Sequence, residues 1–175
     1  MSVKSKVRSA KRAVAKVFSA ESANPAEVDV LDTLKKEHDE VKALLSDLQT
    51  ATTAPQRRAL VQKIKGALIP HTKAEEKVVY DAVIALRDKD AQVDGHEGYL
   101  EHEWASKTLQ RLDAISNATS PEHKATAKVL KELVEHHIRE EESNVWDDVT
   151  ENFSDDERKR MNVAFERAKT RVRIP

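Results

Sequence analysis

The sequence predicts an all-α protein built around an antiparallel four-helix bundle, and three observations carry that reading. Only three of the 175 residues are Gly, the residue that loses most backbone entropy in a helix. The chain is rich in Ala, Leu, Lys and Glu, which lose little side-chain freedom there. Helix starts are written as a capping side chain followed by Pro, at Asn24-Pro25, at Thr53-Ala54-Pro55 with Gln56 completing a capping box, and at Ser120-Pro121.

Before the first of these signals lies a basic segment, residues 1–24. Six of the 30 basic residues and none of the 31 acidic ones fall in residues 1–20, so the remainder carries 24 against 31, a net charge of −7. An acidic body lacks the basic face that displaces phosphate counterions, so nucleic acid is not an expected partner. In the basic segment Val3, Val7, Val14 and Phe18 recur near helical spacing. It is expected to form an N-terminal amphipathic helix outside the bundle that contacts its own domain, a second copy or an anionic surface, and it also shares traits with organelle-targeting presequences. No apolar run approaches the roughly 18 residues that would make the chain transmembrane, and a secretory apolar core is absent from the N-terminus, so the default location is cytoplasmic.

The bundle itself is expected over 25–152, with helices at roughly 26–50, 55–88, 98–116 and 121–150, and "DGHEG" at 94–98 marking a break. A short C-terminal helix, capped by Ser154 with Glu157, follows within 153–175. Pro70, inside the second helix, removes a hydrogen bond to Gly66, either as a tolerated kink or as one that aims His71 inward.

Apolar residues three and four apart define each buried stripe. The first runs Leu31, Leu34, His38, Val41, Leu45, Leu48, and the second Ile64, Leu68, His71, Glu75, Val78, Ala82. The third runs Tyr99, His102, Ala105, Leu109, Leu112, and the fourth Leu130, Val134, His137, Glu141, Val145, Val149. A His interrupts every stripe. One His on an apolar stripe is ordinarily a core residue bonded to backbone; four at matching depth, two with Glu one turn later, favour a shared site. A buried carboxylate costs several kcal/mol unless compensated, and residues i and i+4 share a helix face about 5–6 Å apart at Cβ. His71 with Glu75 and His137 with Glu141 can therefore each converge on a cation, with His38 and His102 completing the set. Zero Cys leaves imidazole and carboxylate as the only strong donors and excludes zinc fingers and iron–sulfur clusters.

The chain repeats this pattern. "HTKAEEKVVYDAV" from His71 aligns with "HIREEESNVWDDV" from His137, and "EHDEVKALLSDL" from Glu37 with "EHEWASKTLQRL" from Glu101. Two matching halves, each with two His and one Glu, would hold two metal ions related by a pseudo-twofold axis. The repeat selects His137 over His136. His96 and His123 fall in an expected loop and an expected first turn, where solvation or capping is the ordinary role, and Glu140 and Glu142 read as solvated neighbours of Glu141.

These motifs, His on the first and third helices and His-x-x-x-Glu on the second and fourth, resemble the hemerythrin-like, or HHE cation-binding, family over about residues 30–150. The resemblance implies that His38, His71, Glu75, His102, His137 and Glu141 hold two non-haem iron ions in an oxo- or hydroxo-bridged di-iron centre. Ferritin-like di-iron proteins use Glu-x-x-His, and no His here has Glu three residues before it. Oxygen-carrying hemerythrins supply two His one turn apart on the third helix; here the earlier position is Gly98, with Tyr99 beside it as either an ordinary core residue or a phenol near the metal.

The implied function is binding or sensing of oxygen, nitric oxide or iron, with a small diatomic ligand or peroxide as partner. The alternative is a di-iron oxidoreductase that decomposes hydrogen peroxide. A helical interaction module without metal is the third reading.

Overall fold

The computed structural model describes residues 24–175, and the basic segment with its expected amphipathic helix lies outside the described residues. All regular structure among the described residues is helical. Helix α1 spans Val30–Thr50. Helix α2 comprises Ala54–Glu75, a π-helical turn Glu76–Tyr80 and a last α turn Asp81–Ile84. Helix α3 spans Lys89–Ala114. Helix α4 comprises Pro121–Glu140, a second π-helical turn Glu141–Val145 and Trp146–Asn152, and α5 spans Asp155–Lys169. None of these helices is long and apolar enough to cross a membrane.

The caps expected at Thr53, Ser120 and Ser154 form. Thr53 Oγ1 accepts from the amide of Gln56 while Gln56 Oε1 accepts from the Thr53 amide; Ser120 Oγ accepts from the His123 amide at 3.1 Å. Glu157 Oε2 accepts from the Ser154 amide at 2.8 Å. Asn24-Pro25, by contrast, closes a turn, the Asn24 carbonyl accepting from the Glu27 amide at 2.8 Å. Helix α1 starts at Val30 because Asp29 is the better cap: one oxygen accepts from the Leu31 amide at 3.0 Å and the other binds Arg158 of α5 at 2.7 Å.

Helix α3 begins at Lys89, capped by Asp88, so "DGHEG" lies inside a helix instead of breaking the chain. The glycines are there for proximity. A Cβ on Gly95 would lie 2.7 Å from Ile84 Cγ1, and one on Gly98 would lie 2.5 Å from Tyr80 Cζ. Each helical glycine costs about 1 kcal/mol relative to Ala, and here that loss admits the end of α2.

The two π turns follow Glu75 and begin at Glu141, at matching places in the repeat. A π turn carries an extra residue and rotates everything after it. The inward positions of α2 are consequently Val79, Tyr80 and Val83, not the expected Val78 and Ala82, which are half-buried. In α4 the expected Val145 and Val149 are buried.

Two apolar clusters result. One gathers Val41, Leu45 and Leu48 of α1 with residues from the first half of α2, the second half of α3 and the first half of α4. The other gathers Val30, Leu34, Val79, Tyr80, Val83, Val145, Val149 and Phe165 of α5. Along every helix the His and Glu of the repeat fall between the stretches that feed these clusters, so a polar layer lies between two dry ones.

Candidate metal centre

Helices α1 and α3 each bring one residue to this layer, His38 and His102; α2 brings His71 and Glu75, and α4 brings His137 and Glu141. None of the six is more than 6% exposed. The structure thus brings all six sequence-derived residues together. Glu75 Oε2 lies 3.3 Å from His71 Nε2 and 3.4 Å from His102 Nε2. Glu141 Oε2 lies 3.3 Å from His38 Nε2 and 3.5 Å from His137 Nε2. Each carboxylate stands between an imidazole of its own half and one of the other. His102 Nε2 and His137 Nε2 are 3.1 Å apart.

These atoms suit a metal better than one another. His38 Nε2, both Glu75 oxygens and Glu141 Oε2 are fully buried without a hydrogen-bond partner, and such orphans ordinarily cost 1–3 kcal/mol or more each, as a rough scale. Ligands about 2.1 Å from one ion stand roughly 3 Å apart when they subtend a right angle, close to the separations seen. His38, His71 and Glu75 form one group able to hold an ion, and Glu75, His102 and His137 another. Burial opposes the charge on His71, yet Glu75 and Glu37 outweigh it and push its pKa up to about 10. Burial likewise opposes the charge on Glu75, and His71 and His102 hold its carboxyl well below the usual range. The layer calls for positive charge, which a metal supplies without protonating its ligands.

A second ring of carboxylates orients the imidazoles from behind. His71 Nδ1 lies 2.9 Å from Glu37 Oε2 and His137 Nδ1 lies 2.8 Å from Glu101 Oε2. His38 Nδ1 lies 3.0 Å from Glu142 Oε1. His102 Nδ1 is 3.3 Å from Glu76 Oε1, just outside hydrogen-bond geometry. With Nδ1 donating outward, the Nε2 lone pair points into the centre, the tautomer a metal needs. Glu142 is therefore not merely solvated surface, as expected of it; its side chain is 23% exposed against 45% for that of Glu140. The signal was present: in each half the residue before the lone His and the residue after the inner Glu are Glu.

His136 is 52% exposed at its side chain and faces outward. His96 is exposed, but on α3 instead of a loop. His123 is neither solvated nor a cap. It is buried at the far end of the bundle, where its Nδ1 accepts from Arg57, a guanidinium that also donates to the carbonyls of Leu48 and Ala51. Tyr99 turns its hydroxyl away, to the Glu76 carbonyl at 2.9 Å and Asp81 Oδ1 at 2.8 Å. The phenol at the centre is Tyr80, missed from sequence because the π turn had not been counted. Helix α5 closes the remaining side: the Phe165 ring meets His71 edge-on with centroids 5.9 Å apart, and Lys169 pairs with Glu37.

The hemerythrin HHE cation-binding domain model matches residues 29–146, which include all six inner residues. The chain belongs to the hemerythrin HHE cation-binding domain family. It is also 27% identical over 146 residues to a protein of Nostoc sp. (strain PCC 7120) named DNA nickase. That alignment covers 83% of this HHE chain and 40% of the relative, so the chain spans less than half the length of the protein it matches. No solved structure matches it.

Proposed function

We propose that this chain holds two iron ions through His38, His71, Glu75, His102, His137 and Glu141, and that the pair binds or senses oxygen, nitric oxide or iron itself. The observation that supports this most is the placing of Glu75 and Glu141, each buried between imidazoles of the two halves with oxygen atoms left unpartnered. The unit is read as an antiparallel four-helix bundle over 25–152, with 153–175 covering one side and the basic segment 1–24 outside it.

Bound there, an iron pair would supply ferrous–ferric redox chemistry and Lewis acidity toward a small molecule. The chain's own residues do the rest. Glu37, Glu101 and Glu142 fix imidazole orientation, and the two apolar clusters exclude bulk water from both ends of the layer. Between Tyr80, Gly98, Glu101, His137 and Glu141 lies a cavity of about 10 Å³, room for about one water-sized molecule.

Elemental analysis of freshly purified protein, paired with spectra before and after exposure to oxygen and nitric oxide, tests the proposal. About two irons per chain and a reversible spectral change are expected. Stoichiometry near one, or zinc alone after iron-replete expression, would overturn it. Steady oxygen release on adding hydrogen peroxide would place the chain among peroxide-decomposing oxidoreductases instead of binding proteins. The face leading to the centre is acidic, with Asp94, Glu97, Glu101 and Glu140 around the cavity, which disfavours a phosphate backbone as the molecule that reaches this centre.

A further inference from the structure

Among the described residues, Tyr80 is the one whose hydroxyl is buried among the six inner residues. Its Oη lies 3.5 Å from His102 Nε2, 3.5 Å from His137 Nε2 and 3.3 Å from Glu141 Oε1. Those are the atoms that face the His102–His137 half of the centre, and the phenol oxygen is as close to each as two ligands of one ion stand from each other. The side chain is fully buried.

The backbone is shaped to bring it there. The π turn Glu76–Tyr80 rotates Tyr80 inward from a helix whose outward face would otherwise carry it. Gly98 of α3 then leaves room: an added Cβ would stand 2.5 Å from Tyr80 Cζ and 2.9 Å from its Oη. The repeat supplies a contrast. Its other half has Trp146 at the matching position, stacked on His38 with ring centroids 6.2 Å apart, just as Tyr80 lies against His102 at 5.2 Å. An indole has no oxygen to offer a metal and a phenol does.

We propose that Tyr80 is a seventh protein ligand, its phenolate oxygen binding the ion held by Glu75, His102 and His137, so that the two metal positions are chemically unequal. The inference rests on the iron-binding reading above. On ligation the O–H bond breaks, the oxygen keeps the electron pair, and the proton leaves to solvent, as when any protonated ligand takes up a metal. Tyrosinate is a known partner of ferric iron, as in haem catalases.

The chain has two tyrosines, Tyr80 and Tyr99, which makes the test clean. The full chain is loaded with iron and oxidised, its iron content is measured, and its visible absorption and resonance Raman spectra are recorded. Tyrosinate ring modes enhanced within a visible charge-transfer band are expected in the parent protein. They should persist in Tyr99→Phe and vanish in Tyr80→Phe, with intensities compared per bound iron. Iron-loaded parent protein without tyrosinate modes overturns the inference, as do modes lost in Tyr99→Phe or kept in Tyr80→Phe. Should Tyr80→Phe fail to fold, modes surviving in Tyr99→Phe still assign them to Tyr80. A parent chain that takes up no iron is a different failure, that of the iron-binding reading itself.

Discussion

Glu101 stands 2.8 Å from Nδ1 of His137, one helix away, while the residue after it, His102, points its own Nε2 at the centre. The Glu-His dipeptide thus orients one inner imidazole and supplies another. Glu37 and His38 repeat the arrangement toward His71. Removal of such an outer carboxylate typically costs about 10–100-fold in metal affinity. Glu101→Ala should therefore weaken iron binding by about that factor, and Glu101→Gln by less, because its amide oxygen still accepts from Nδ1. Competition against a chelator of known affinity measures both, and an unchanged affinity in the alanine variant would contradict the role.

Adjacent histidines on α4 separate the inner site from the surface. His137 is buried with Nε2 facing Glu141, and His136 is half exposed near Glu101. His137→Ala should remove at least one of two irons per chain. His136→Ala should leave metal content within error. Equal loss in both variants would mean that α4 has been read in the wrong rotation.

The six inner residues were legible because an imidazole on an apolar stripe conflicts with its surroundings, and four such conflicts at one depth resolve only together. The outer carboxylates were written in the same phrases, yet a Glu flanking a buried stripe is ordinarily solvated, so nothing local set Glu142 apart from Glu140. Tyr80 was hidden differently. Regular α periodicity allows either Val78 or Val79 inward, three or four residues past Glu75, and it is Tyr80 that needs the extra residue of the π turn to reach the core. Alignment of Val79 and Tyr80 with Val145 and Trp146 was the available clue. The early start of α3 was illegible because a glycine that lets another helix approach has the same letter as one that turns the chain.

Metal removal should destabilise the fold, since it leaves Glu75 and Glu141 buried without a cation. At free metal about 100-fold above its Kd, linkage contributes about 2.7 kcal/mol. For a chain of this size that corresponds to a fall in Tm of about 5–10 °C. Scanning calorimetry before and after verified removal measures it. An unchanged Tm would show that the apolar clusters alone carry the fold.

A separate pH dependence resides at the opposite end of the bundle. Burial, Arg57 and Arg58 all hold the His123 pKa below its ordinary 6.5, because Nδ1 must stay unprotonated to accept from Arg57. The unfolded chain takes up the proton first as pH falls, so this residue costs no stability above 6.5 and progressively more below it, until the folded pKa is reached. Denaturant unfolding of metal-free protein at several pH values should show a steeper acid loss in the parent than in His123→Asn, whose side-chain oxygen can accept from Arg57 without titrating. Parallel pH profiles would remove His123 from the account.

Two glycines, both inside helices, should respond to alanine in opposite directions. Gly66 of α2 has nothing within 4 Å of an added Cβ. Alanine there gains helix propensity at no steric cost, and Gly66→Ala should stabilise the chain by about 0.4–1 kcal/mol. Gly98 faces the rigid Tyr80 ring at 2.5 Å, a contact that cannot be relieved by a flexible side chain's end. The ring also packs on His102, one turn further along α3, with centroids 5.2 Å apart, so the methyl must displace α3 or the phenol. Overpacking of this kind typically costs about 1–3 kcal/mol, outweighing the propensity gain, and Gly98→Ala should lower stability. Urea unfolding of the two variants beside the parent gives both signs in one experiment. If Gly98→Ala proved as stable as the parent, the Tyr80 ring would have room to move, and its fixed approach to His102, His137 and Glu141 would no longer hold.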